Sequence, residues 1–437
     1  VALRGQGSGK PFVHLDTSFS GVHVRFQKHM PPLQEASGHF NLHGTRLVAI
    51  ASAGHVTADE GGEVHVAGTS FIIPDTSIKG GGPGIARVEA SGSVTAALSL
   101  LNRPPLNVMS KAGLPVELAD GTVRVAGTLS VPLRKGVAPD EIRYHYSGQL
   151  FDVESRVLVP GQEVRSELLT VEGDQSRVEI AGKASLSGVP LTAAWRQGIG
   201  AGSDPTSFVN GTVALSEDVV KTFNIGLPTG TVFGEGTGRY SLRLTPGVPP
   251  ELTLTSALEG IGLRIPSLSW RKPPDAAGLL DMIVTLRAQP SVDRLRIDAS
   301  GLTASGTVTT REDGSLERAA FSSVSLGDWL NGPVEFTGRG SAPPELRMTG
   351  GRIDMRLAPF TSSSGSADGS GSGAGIGPIT LGLDRLQVTD SIALTGFNGI
   401  FSVAGGFRGE FAANLNGQTP LSGILVPEGG GTATRIK

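Results

Sequence analysis

Apolar and polar residues alternate with a period of two along most of the chain. Val22, Val24 and Phe26 alternate with His23 and Arg25, Val64 and Val66 flank His65, and Val123 and Val125 flank Arg124. Ile142, Tyr144 and Tyr146 alternate with Arg143 and His145, and the same pattern recurs at Leu242/Leu244, Leu252/Leu254, Leu263/Ile265 and Leu295/Ile297. Ile353, Met355 and Leu357, then Ile379, Leu381 and Leu383, continue it. Successive side chains of a strand point to opposite faces, so each run predicts a strand with one apolar and one polar face. Glycine-containing turns recur at the spacing of roughly 8–12 residues typical of all-β chains. Polar outer faces and short connections favour antiparallel pairing over a buried parallel sheet. The expected fold class is mainly β, with a few short crossing helices.

Helical patterns are few. Val94–Met109 opens as a short apolar helix and is broken at Pro104-Pro105. Ser216–Phe223 has a capping serine, two acids in its first turn and an apolar stripe. Both run into Gly-Leu-Pro, at Gly113–Pro115 and Gly226–Pro228, and then into Gly-Thr-Val, at Gly121–Val123 and Gly230–Val232. The spacing predicts a degenerate repeat of roughly 110 residues, several strands and then a crossing helix. The organisation expected is one repeat over 1–115, a second over 116–228, and further strands over 229–437. A second echo, Val189-Pro190-Leu191 and Thr419-Pro420-Leu421, places the next helix beyond residue 437, so the chain is expected to stop inside a unit. The Gly/Ser stretch 361–375 offers nothing to pack and is expected to be a flexible, dispensable loop.

Composition narrows the function classes. Charged residues are 18%, aromatics 5%, and glycine accounts for 63 of 437 residues without a three-residue period, which excludes collagen. With a net charge of −3, nothing recommends the chain as a general nucleic-acid binder. Cysteine is absent, which excludes disulfide scaffolds, thiol catalysis and cysteine-based zinc sites. The opening VALRGQGSGK has neither an apolar signal core nor an initiator methionine, and no run approaches the roughly 20 apolar residues of a membrane span. Any membrane anchor is therefore expected outside this stretch.

Candidate chemistry is sparse. Seven of eight histidines (His14, His23, His29, His39, His43, His55, His65) fall in the first 65 residues. His39-x3-His43 would suit a metal on a helix, but on a strand the two lie about 13 Å apart, so they read as polar-face histidines and no metal is expected. Gly5–Lys10 (GQGSGK) is one residue short of a phosphate loop and is followed by Pro11. The acids Asp16, Asp59, Glu60, Asp75, Asp152 and Glu154 fall at turns or on polar faces, where no catalytic pair separates from background. No catalytic residue and no cofactor are assigned. Arginine outnumbers lysine about three to one and alternates with apolar residues, as on a solvated outer face; the same groups would also suit lipid phosphates.

More than twenty strands would each present an apolar face, with two short helices to cover them. Such a face would aggregate unless it closed on itself, stacked as a solenoid or held an apolar ligand. Ser20–Asp75, Ala97–Pro115 (ALSLLNRPPLNVMSKAGLP) and Leu186–Gln197 (LSGVPLTAAWRQ) resemble the AsmA-like superfamily, in particular its large YhdP-type envelope proteins. The resemblance covers most of residues 11–215 and continues more loosely through 406–437. It is a pattern of glycine, proline and apolar positions without catalytic residues.

The resemblance implies an elongated, twisted antiparallel β-groove built of repeats, apolar inside and polar outside, that carries phospholipid between the inner and outer membranes of a Gram-negative cell. It implies a periplasmic location, an inner-membrane anchor N-terminal to this stretch, and contact with the outer membrane or its proteins beyond the C-terminal end. The lining would comprise Val22, Val24, Phe26, Val64, Val66, Val123, Val125, Ile142, Tyr144, Leu252, Leu254, Leu263, Ile265, Leu295 and Ile297. Burying a 16-carbon chain gains about 12 kcal/mol before ordering costs, at about 0.8 kcal/mol per methylene. A non-catalytic scaffold β-solenoid is the main rival, predicting strict coils of about 20–25 residues. A carbohydrate-active β-sandwich enzyme would need aromatic platforms, for which only Trp195, Trp270 and Trp329 are available as tryptophans.

Overall fold

The computed structural model describes residues 2–4, 12–200, 202–359, 377–402, 408–427 and 434–436. The 361–375 stretch and the GQGSGK segment lie outside these residues. The fold is mainly β, with three short α-helices among the described residues. By contact density it divides into two compact units, Val1–Gly211 and Thr212–Lys437.

In the first unit, strands β1 (Ala2–Arg4), β2 (Phe12–Val24), β3 (Leu33–His43) and β4 (Arg46–Thr57) pair in sequence order. The short β5 (Glu63–His65) and β6 (Ser70–Ile73) both bridge β4 to β7 (Pro83–Ser93). Then β8 (Asp120–Pro132), β9 (Arg143–Ser155), β10 (Val164–Asp174), β11 (Arg177–Leu186) and β12 (Val189–Gly198) follow as antiparallel neighbours. Strand β13 (Ser207–Leu215) carries the chain into the second unit.

Between β7 and β8 lie α1 (Val94–Leu101) and α2 (Val108–Ala112). Ser93 caps α1: its Oγ accepts the Ala96 N–H at 3.0 Å and donates to the Gly61 carbonyl at 2.7 Å. The Pro104-Pro105 break separates the helices, and Asn102 Oδ1 ties them by accepting the Ser110 N–H at 2.8 Å. Helix α2 ends at Gly113, whose φ of +67° is the left-handed stop that glycine supplies.

The second unit opens with α3 (Glu217–Thr222), β14 (Val232–Gly234), β15 (Gly236–Leu244), β16 (Glu251–Ser256), β17 (Ile261–Ile265) and β18 (Trp270–Lys272). Strands β14, β17 and β18 form a small sheet of their own. The main sheet of this unit runs from β15 and β16 through β19 (Gly278–Thr285), β20 (Ser291–Ala299), β21 (Leu302–Thr310), β22 (Leu316–Leu326) and β23 (Leu330–Arg339), each antiparallel to the next. It ends with β24 (Ala342–Thr349), β25 (Arg352–Asp354), β26 (Ile379–Gln387), β27 (Ala393–Ser402), β28 (Arg408–Leu415), β29 (Thr419–Pro427) and β30 (Thr434–Ile436).

Two features depart from a simple antiparallel order. Strand β26 runs parallel to β24 and β25, pairing Met348 with Leu381 and Ile353 with Leu386. The alternation Ile353–Met355–Leu357 yields only the three residues of β25. The chain then turns, with the Leu357 N–H bonded to the Asp354 carbonyl at 3.3 Å, and Leu357 is exposed.

The buried clusters differ between the units. In the first, α1 sits over one end of the strands, where Ala96 packs with Ala58 and Val64 and against Ala90 and Leu100. In the second, a larger cluster joins Leu258 and Trp270 to Ala299, Leu302, Leu326, Trp329 and Leu330, and runs on through Met348 and Leu383 to Phe397 and Phe401. The small sheet covers its near end: Leu263, Ile265 and Leu268 pack onto it, and the Trp270 indole donates to the Ser300 carbonyl at 3.0 Å. Lys272 is fully buried there, its ammonium donating to the carbonyls of Leu258 and Ile261, both at 2.7 Å, and of Pro273 at 3.1 Å. Burial pushes its pKa down, opposed by the charges of Asp275 and Glu259.

Candidate apolar binding face

Directly paired residues of antiparallel strands share a face, so register traces each face across the sheet. In the first unit one line runs from Leu15 to Leu42 to Leu47, and a second from Phe40 through Ala49 and Phe71 to Ala86 and Leu129. Further on, Ala90 pairs with Val125 and Val125 with Gly148, while Val123 pairs with Leu150 and Leu150 with Leu169. From β10 the same face passes through Val171 and Ile180 to Trp195. A register-matched apolar face therefore extends from β2 to β12.

Most of its side chains are half-buried: they shield one another and touch water. The opposite face is mostly polar, although Ile50 and Leu168 are exposed on it. Arg124, Thr128, Arg143, His145, Ser147 and Gln149 are exposed there. Arg196 on β12 pairs with Glu179 on β11 at 2.8 Å on that face, and across the β9–β10 connection Arg156 pairs with Glu163 at 2.7 Å; the Arg156 hydrogen bond holds the Glu163 carboxyl below the usual range.

Glycines hold positions on the apolar face. A Cβ at Gly148 would meet the Arg124 carbonyl oxygen at 2.4 Å and a Val125 methyl at 2.6 Å. One at Gly38 would meet the Phe19 ring at 2.8 Å, and one at Gly84 the Phe71 ring at 2.9 Å. Neighbouring side chains thus lie flat over these glycines, which keeps the face low and smooth.

The residues expected to line a groove fall in several places. Val22 pairs with buried Ala36, Val64 with Val56 and Gly92, and Tyr144 with Leu129, all on the apolar face with Val123 and Val125. Ile142 is half-buried just before β9, and Val66, just past β5, is half-buried with its N–H bonded to the Gly54 carbonyl at 3.0 Å. Val24 closes β2 at an irregular register and is exposed; Phe26 lies beyond the strand and is 59% exposed.

In the second unit Leu252 pairs with Leu242 and Val284, Leu254 with Tyr240 and Met282, Leu295 with Met282, and Ile297 with Leu280 and Ala304. These four occupy the apolar face of the main sheet. Ile297 lies under the buried cluster, whereas Leu252, Leu254 and Leu295 are half-buried outside it. Leu263 and Ile265 belong instead to the small sheet and cover that face.

Sequence reasoning missed much of the face, including Leu15, Phe40, Leu42, Leu47, Phe71, Leu150, Leu169, Val171, Ile180 and Trp195. The available signal was glycine taking apolar places in the alternation, as at Gly127, Gly148 and Gly173.

The candidate polar chemistry is distributed. His39 Nε2 lies 2.6 Å from Asp16 Oδ1, and His43 Nδ1 lies 3.2 Å from His14 Nδ1, so the His39 and His43 rings have different partners. Asp59 accepts from Arg103 at 3.0 Å, Asp75 caps a turn through the Ser77 N–H at 2.9 Å, and Glu154 pairs with Arg165 at 3.4 Å. Among the described residues no group of three or more histidines and carboxylates is placed to hold a metal.

No protein-family profile matches the chain, and no curated protein matches it.

Proposed function

We propose that the chain is a bridge-like lipid-transfer protein of the bacterial envelope, binding acyl chains along the apolar face of its sheet. The observation that carries this reading is the register-matched apolar face from β2 to β12, left half-exposed beyond the helix at one strand end. An apolar face of that extent in water needs an occupant. Acyl chains fit it because they ask for continuous hydrocarbon contact and no fixed polar partner. The gain per methylene is similar all along such a surface, so a lipid can advance without leaving it, its headgroup in water.

The resemblance to AsmA-like envelope proteins adds the setting: the periplasm, with contacts to inner and outer membranes made by segments outside this stretch. No catalytic residue takes part. The scaffold reading draws its support from the second unit, where the small sheet and the Trp270–Trp329 cluster fill one end of the face with protein side chains.

Native mass spectrometry of the purified chain tests the proposal. Co-purified phospholipid, released on denaturation, is the expected result. A lipid-free chain that stays lipid-free when incubated with phospholipid micelles would favour the scaffold.

A further inference from the structure

The apolar face of the first unit carries two phenol hydroxyls. Tyr144 and Tyr146 stand two positions apart on β9 and so share that face; their rings stack 6.4 Å apart with 18° between planes. In register, Tyr146 has glycine on both sides, Gly127 on β8 and Gly173 on β10. A Cβ at Gly173 would come within 2.5 Å of the Tyr146 hydroxyl oxygen, so the ring lies flat across β10 and carries its hydroxyl over that glycine.

A phenol on an apolar surface ordinarily donates to a partner. Among the described residues neither hydroxyl has one. No fully buried side-chain nitrogen or oxygen among those residues lacks a partner either, so both hydroxyls remain reachable from outside. Burial pushes both phenols further above their ordinary pKa, and the Asp174 charge adds to it; both are neutral donors at physiological pH.

We propose that this pair is the point on the face that receives the ester carbonyls of an acyl-ester lipid. The inference rests on the reading that the face holds acyl chains, and it adds which lipid chemistry is favoured. A bare alkyl chain offers these hydroxyls no acceptor. A diacyl lipid offers two carbonyl oxygens close together, one for each O–H. With the carbonyls held there, the chains continue past Gly148 onto Leu150 and its partners Val123 and Leu169.

The test compares dioleoylphosphatidylglycerol with its dialkyl ether counterpart, which lacks both carbonyls. Each competes against a fluorescent fatty acid on the delipidated full chain. The wild-type chain is expected to bind the ester lipid about 5–20-fold more tightly, as two neutral hydrogen bonds supply. The double variant Tyr144→Phe/Tyr146→Phe is expected to bind the ester and ether lipids with equal affinity. If the double variant fails to fold, each single variant should lose part of the ester preference. Equal binding of both lipids by the wild-type chain overturns the ester assignment while leaving the acyl-chain reading standing. An ester preference that survives the variants overturns it too. Binding of neither lipid removes the acyl-chain reading and this inference with it.

Discussion

Placing an aspartate at Val125 should cost far more than placing one at Thr128, three residues along the same strand. Val125 is half-buried between Ala90 and Gly148, its methyl lying over the bare Gly148 α-carbon. Losing half of a valine's burial costs about 1 kcal/mol. A carboxylate set among apolar neighbours adds about 1–2 kcal/mol even with partial access to water. The total, about 2–3 kcal/mol, corresponds to a fall in Tm of roughly 5–10 °C for a unit of this size. Thr128 is exposed and faces Arg87 on β7 and His145 on β9, so an aspartate there gains opposite charge; its effect should stay within about 0.5 kcal/mol. Thermal unfolding followed by circular dichroism, with urea titration as a check, reads the difference. Equal losses from the two variants, or a larger loss at Thr128, would refute the assignment of faces.

Two further substitutions probe what covers the sheet. Lys272→Met removes a buried cation and leaves the Leu258, Ile261 and Pro273 carbonyls without their donor; a loss of about 2–4 kcal/mol is expected from urea unfolding, and a neutral result would show that the small sheet does not depend on this anchor. Ser93→Ala removes the cap of α1 and should cost about 1 kcal/mol, with faster amide hydrogen exchange confined to Val94–Leu101; unchanged exchange would contradict the capping role.

The local half of this fold was legible in the residues. Arg143 to His145 and Val123 to Val125 alternate in sequence and in exposure alike, and the apolar run opening at Val94 and the serine at Ser216 marked the starts of α1 and α3. Pairing was not legible, because alternation encodes a strand's two faces but not its neighbour. Leu263 and Ile265 alternate as well as Leu295 and Ile297 do, yet they cover the sheet rather than belong to it. The parallel placement of β26 likewise depends on contacts far apart in the chain. Phe26 continued the pattern of Val22 and Val24 beyond the point where β2 stops, after the register irregularities around Val22. Lys272 gave no sign of its burial, since its carbonyl partners converge only once β17 and β18 are paired.

Site-specific photocrosslinking measures the central claim most directly. A photoreactive residue is introduced at Val125 or Leu150 on the apolar face, and at Arg124 or Gln149 on the polar face of the same two strands. The chain is then irradiated with phospholipid present and the adducts are weighed by mass spectrometry. Lipid adducts from Val125 and Leu150, with few from Arg124 and Gln149, are the predicted result; adducts formed equally from both faces, or from neither, would contradict the account.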